Sequence, residues 1–198
     1  IMPVDVPEKN WKDLQIFFST STGGVRKNAL SDFTKVQANG KIAMKIPSGT
    51  NLVDVKICAE NHDVLLTTSK GKAIRFPVTD VRLFKGRDSA GVRGIKLAEK
   101  DFVVSMAILN HVDASAEERA AYFKMRKSFF EDETEIEQTD LTEAQTILTD
   151  KRFKELLDQE ECILMITSSG FGKRSSAHEY RIASRGGQGV SAANLQTR

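Results

Sequence analysis

The chain has 198 residues, of which 40% are hydrophobic and 28% charged, with a formal net charge of +2. No stretch is apolar enough to span a bilayer, and the first residues lack the basic and apolar regions of a signal peptide. Two cysteines are too few for a disulfide framework, so Cys58 and Cys162, both in apolar runs, are expected to be reduced, buried thiols of a cytoplasmic protein.

After an opening that reads as a linker, residues 16–27 run from apolar residues through a Ser/Thr cluster to Gly23 and a basic Lys27 four positions later. Residues 64–75 repeat that order around Gly71 and Arg75. Residues 163–174 repeat it again around Gly170 and Arg174. Ten positions after each Gly stands Phe33, Val81 or Tyr180, and a second Gly follows at 40, 91 and 189. Six residues past the second Gly come Ile46, Leu97 and Leu195. Short Val-, Ile-, Phe- and Thr-rich runs broken by Gly and Asn read as antiparallel strands with turns. Residues 52–58 and 102–109 are expected to close the first two units as further strands. A recurring unit of this size points to propeller-like blades.

The first two units start 48 residues apart, the second and third 99 apart. The excess of 51 residues marks an insertion, assigned to 111–161. Ser115 and Glu118 have the spacing of a capping box and predict a helix from there through Phe130. A second helix is expected over 141–158, and the acidic stretch 131–137 as a solvated loop. The insertion holds 15 of the 27 acidic residues and 7 of the 29 basic ones, a net of −8. That leaves 12 acidic and 22 basic residues elsewhere, a net of +10. A basic framework thus carries an acidic helical insert, whose acidic face is expected either to be a plain solvated face, or to compete with nucleic acid or dock a partner. The expected layout is blades over 1–110, the insertion over 111–161 and a continuing blade over 162–198, all in one domain.

No catalytic constellation emerges. His62, His111 and His178 lack metal-ligand spacing, no cysteine pair suits zinc, and neither a phosphate loop nor a nucleophile elbow is present. Tyr122 and Tyr180 read as packing residues. The chemistry on offer is a sequence-blind row of cations for duplex phosphates. Its candidate members are Arg26, Lys27, Lys41, Lys45, Lys72, Arg75, Arg82, Lys85, Arg87, Arg93, Lys96, Lys173, Arg174, Arg181 and Arg185. The glycines of segment 185–189 would let backbone N–H groups approach a phosphate closely.

Three stretches carry a family resemblance: Leu30-Ser31-Asp32-Phe33 with Asn39-Gly40-Lys41-Ile42-Ala43-Met44-Lys45-Ile46; Gly91-Val92-Arg93-Gly94-Ile95-Lys96-Leu97; and Gly170-Phe171-Gly172-Lys173-Arg174 with Glu179-Tyr180. Together they resemble the C-terminal domain of the DNA gyrase A subunit, over nearly the whole chain except 111–161. The resemblance implies a mainly β fold, a six-bladed β-pinwheel whose blades exchange strands. It implies a basic rim that wraps double-stranded DNA for negative supercoiling. It also implies a complex of two A and two B subunits, with ATP and Mg2+ acting elsewhere in that complex and no cofactor or catalytic residue in this fragment. The family's heptapeptide Gln-Arg-Arg-Gly-Gly-Lys-Gly is matched by Ala183-Ser184-Arg185-Gly186-Gly187-Gln188-Gly189 at one Arg and three Gly only. That segment therefore reads as the equivalent part of a later blade, with the heptapeptide itself expected upstream. The C-terminal domain of the corresponding topoisomerase IV subunit, used in decatenation, and a protein-binding propeller are the alternatives.

Overall fold

A β-hairpin turning on a single glycine opens each repeat. The computed structural model describes residues 4–35, 39–40, 42–86, 88–130 and 138–193. β1 (Gln15–Thr20) and β2 (Gly24–Ala29) pair antiparallel around Gly23, whose φ of +82° suits a residue without a Cβ. β3 (Leu52–Cys58) takes the other edge of β1. In the second repeat, β4 (His62–Thr68) and β5 (Lys72–Pro77) turn around Gly71. β7 (Val103–Asn110) then covers the outer edge of β4. The expected closing strands at 52–58 and 102–109 thus form, each after a chain reversal of its own.

Two sheets are completed by the following repeat. β6 (Val92–Arg93) comes from the second repeat but pairs with β2 of the first, with Val92 opposite Val25. β10 (Val190–Ser191) comes from the third and pairs with β5, with Val190 opposite Ala73. The two sheets therefore run β3-β1-β2-β6 and β7-β4-β5-β10. Between them lies a core that includes Phe17, Val25, Val64, Leu66, Ile74, Phe76 and Ile95. Phe17 and Phe76 meet across it at 6.5 Å. Side chains of this size contribute roughly 1.5–3 kcal/mol each on full burial. A second cluster on the first sheet joins Ile16, Phe18, Leu30 and Met44, with Trp11 and Phe33 against it.

The chain forms two compact units, one of residues 1–111 with 182–198 and the other of residues 112–181. This division differs from the expected one: the third hairpin, β8 (Cys162–Ile166) with β9 (Gly172–Ser176), belongs with the helices. His178 ties the hairpin to the helices. Buried just after β9, it donates from Nε2 to the Leu156 carbonyl at 2.9 Å and packs edge-on against Tyr122.

Helix α1 (Ala116–Phe130) starts at the expected capping box: Glu118 N donates to Ser115 Oγ at 3.1 Å, and Ser115 N to Glu118 Oε2 at 2.9 Å. The bond from the Ser115 backbone, with that from Arg152, holds the Glu118 carboxyl below its ordinary range. The single helix expected over 141–158 is instead two, α2 (Gln138–Ile147) and α3 (Asp150–Asp158). Thr149, extended, caps α3 through its side chain and ends the continuity. Tyr122, Ala144, Leu148, Phe153 and Leu156 fill the helical core. The expected acidic loop 131–137 lies outside the described residues. Cys58 is buried, as expected, but Cys162 is exposed at the start of β8. Among the described residues, no helix is long and apolar enough to cross a membrane.

Candidate nucleic-acid interface

The basic residue four positions after the repeat glycine has two different fates. Arg75, in β5, is only 3% exposed. Its Nε donates to Asp63 Oδ2 at 2.8 Å, and its Nη2 to the Asn110 carbonyl at 2.8 Å. Asp63 is fully buried, and its second oxygen meets His111 Nδ1 at 2.7 Å. Lys27, at the same place in β2, is also 3% exposed. Burial lowers its pKa below the ordinary lysine value, against the opposing pull of Cys58 and Glu60. Burial pushes the nearby Cys58 thiol up to about 12. Arg26 is fully buried: Nε donates to Asn28 Oδ1 at 2.9 Å and Nη1 to the Ser89 carbonyl. Arg26, Lys27 and Arg75 are therefore not phosphate contacts of this fold, contrary to the expectation. They lie on inner strands flanked on both sides, where a charge must find partners within the protein.

Arg185 is half-buried and bonded within the protein. Its Nε donates to the Asp80 carbonyl at 2.9 Å and its Nη1 to the Arg93 carbonyl at 3.0 Å. It staples the third repeat's crossing segment to the second. The glycines beside it do likewise. Gly186 N donates to the Gly94 carbonyl at 2.6 Å, and the Gly187 carbonyl accepts from Lys96 N at 2.8 Å. A Cβ on Gly189 would stand 2.3 Å from the Ala73 carbonyl oxygen. These glycines serve close approach of backbone to backbone, and the Gly186 N–H is already bonded within the protein.

The remaining cations are at the surface. Lys45, Lys72, Arg82, Lys85, Arg93 and Lys96 are exposed in the first unit. Among the described residues, none of the six makes an ion pair. The Arg82 guanidinium lies 4.3 Å from the centroid of the Phe84 ring, which limits its freedom while leaving it open to solvent. In the second unit Lys173, Arg174 and Arg181 are exposed, Lys173 with Glu179 at 3.6 Å. Lys41 and Arg87 lie outside the described residues. Sequence reasoning missed the Asp63–Arg75–His111 cluster. Asp63 stands twelve residues before Arg75, where the first repeat has Gln15 and the third Cys162, so repetition hid the single carboxylate.

Antiparallel sheets that recur along the chain, two of them completed by a strand of the next repeat, with exposed cations that form no ion pair among the described residues of the first unit, define a propeller-type repeat protein with a basic surface. A family model described as "DNA gyrase C-terminal domain, beta-propeller" matches residues 15–59, 62–110 and 163–198, and the chain belongs to this family. The unmatched interval contains the helices. The DNA gyrase A subunit of Granulibacter bethesdensis is 42% identical over all of this chain and 22% of its own length. That of Rickettsia bellii is 45% identical over 96% of the chain and 21% of its own length. The chain thus spans about a fifth of these relatives. Two solved structures share the fold: a C-terminal domain of DNA topoisomerase IV, with TM-score 0.62 and 19% identity, and a DNA gyrase A C-terminal domain, with TM-score 0.60 and 21% identity. They cover 96% and 90% of this chain, and the chain covers 43% of each.

Proposed function

We propose that this chain is a DNA-wrapping part of a gyrase A-type subunit, with no catalytic residue of its own. In that role it would bend duplex DNA for an ATP-dependent topoisomerase assembled from two A and two B subunits. The observation that supports the reading is the set of six exposed cations, none in an ion pair among the described residues, on a framework of net +10. Duplex DNA carries about one charge per 1.7 Å of axis, so such cations bind it by releasing counter-ions. They hold the backbone without reading sequence. Bending a short site by 40–90° costs on the order of 1–6 kcal/mol, which several contacts must share.

The test is duplex binding as a function of salt. Log affinity is expected to fall linearly with log salt, and Lys72→Ala, Arg82→Ala and Lys85→Ala should each reduce the slope by about 1. Arg75→Met should leave the slope unchanged in whatever fraction stays folded. No mobility shift at low salt would overturn the reading. Ligation of nicked circles with the chain bound would report wrapping as a shift in linking number.

A further inference from the structure

We propose that Phe84 is a positioning residue for DNA: its ring holds the Arg82 guanidinium edge-out at the surface, so that this one cation meets phosphate already ordered. The proposal rests on the DNA reading and adds to it a division of labour among the exposed cations.

Phe84 is fixed from within the protein. It is 6% exposed and belongs to the core between the two sheets. Its N–H donates to the Lys27 carbonyl at 3.0 Å, and its carbonyl accepts from Asn28 Nδ2 at 2.7 Å. The buried Arg26 guanidinium lies 5.0 Å from the ring centroid and is itself held by Asn28 Oδ1 and the Ser89 carbonyl. Arg82, two residues before Phe84, lies closer to the same ring, at 4.3 Å, and is exposed. An open cation is thereby seated on a ring that the core keeps still.

A guanidinium stacks through its flat face and hydrogen-bonds through its rim of N–H donors. The ring occupies the face. The rim stays free for two parallel bonds to phosphate oxygens. Lys72, Lys85 and Lys96 instead carry a point charge on a flexible stem, and such a stem loses its rotamer freedom when it binds. Arg82 has given up part of that freedom in advance, so its contact is the stronger one.

The repeats supply an internal contrast. Ala183 N donates to the Arg75 carbonyl at 2.9 Å, the bond that Phe84 N makes to Lys27, so Ala183 stands at the Phe84 position of the next repeat. Arg181 stands two residues before it and is exposed, as Arg82 is. The cation recurs there and the ring does not.

The experiment is fluorescence anisotropy of a labelled mixed-sequence duplex titrated with the 198-residue chain at several salt concentrations. Phe84→Leu should weaken binding about 2–10-fold, the cost of ordering one long side chain, with the salt slope unchanged because Arg82 keeps its charge. Arg82→Ala should lower the slope by about 1, and adding Phe84→Leu to it should cost nothing further. Arg82→Lys, a surface change that leaves the core intact, should lose affinity as Phe84→Leu does at an unchanged slope, and Arg181→Lys should lose less. Phe84→Tyr, which keeps the ring, should bind like the wild type. Without DNA, nitrogen relaxation at Arg82 Nε should report an ordered side chain that becomes mobile in Phe84→Leu. Circular dichroism melts check that each variant folds. Phe84→Leu costing as much affinity in the Arg82→Ala background as in the wild type would overturn the proposal and leave the DNA reading standing. So would Arg82→Lys binding like the wild type, equal losses at Arg82 and Arg181, or an Arg82 Nε already mobile in the wild type. A wild-type chain that binds no duplex at low salt would overturn both.

Discussion

Arg75 and Arg82 stand seven positions apart with the same side chain and opposite duties. Arg75 holds Asp63 and the Asn110 carbonyl inside the sheet; Arg82 lies open over Phe84. Residue type and repeat position were legible in the sequence. Burial was not, because it depends on which strands flank β5, and one of them, β10, arrives 115 residues later. Removing one partner of the buried pair leaves a charge without compensation. Asp63→Ala is therefore expected to lower unfolding free energy by about 3–5 kcal/mol, read as a lower denaturant midpoint. The double variant Asp63→Leu with Arg75→Met should recover most of that loss, since an apolar pair of similar volume needs no counter-charge.

At the scale of the element, the crossing glycines decide the architecture. The sequence shows that a second glycine recurs, and reads the one at 189 as room for a phosphate. The structure shows Gly91 and Gly189 lying against a carbonyl of the preceding repeat, a contact that spacing alone does not display. Gly91→Ala meets both the Val25 carbonyl and a φ of +90°. Gly49→Ala meets a φ of +74° in open space. Both should incur the left-handed cost of roughly 1–2 kcal/mol, and Gly91→Ala a further loss from the clash. Thermal melts of the two variants side by side separate the contributions; equal melting temperatures would show that the crossing is not tight in solution. The start of the first helix was located correctly by the capping box at Ser115. The break at Thr149 escaped because Leu141, Ala144, Leu148 and Leu156 keep an apolar rhythm across it.

For the whole molecule, the charge division is the property that composition alone hides. The −8 of residues 111–161 and the +10 of the rest sum to a bland +2. If the insert's field opposes DNA on the basic repeats, neutralising it should strengthen binding. Excising the helices would uncover His178, which packs on Tyr122 and bonds to Leu156, so the cleaner change is charge alone: Glu117→Gln, Glu143→Gln, Glu155→Gln and Asp158→Asn, all exposed. The quadruple variant should bind duplex DNA more tightly at low salt, with the gain vanishing as salt screens it. Equal affinity at low salt would assign the acidic helices another role.

The interleaved order of strands also explains where the chain could grow. β7 closes one sheet and β8 opens another, so the join between them carries no pairing register. Fifty residues placed there displace no ladder bond. They only lengthen the path from Ala73 to its partner Val190, which is 117 residues against 67 for Val25 and Val92. Closure entropy rises by about 0.6 kcal/mol per doubling, so less than one doubling costs little. The same fifty residues between β4 and β5 would have parted a hairpin whose two halves must find each other first. The architecture therefore has seams, and the insertion occupies one of them.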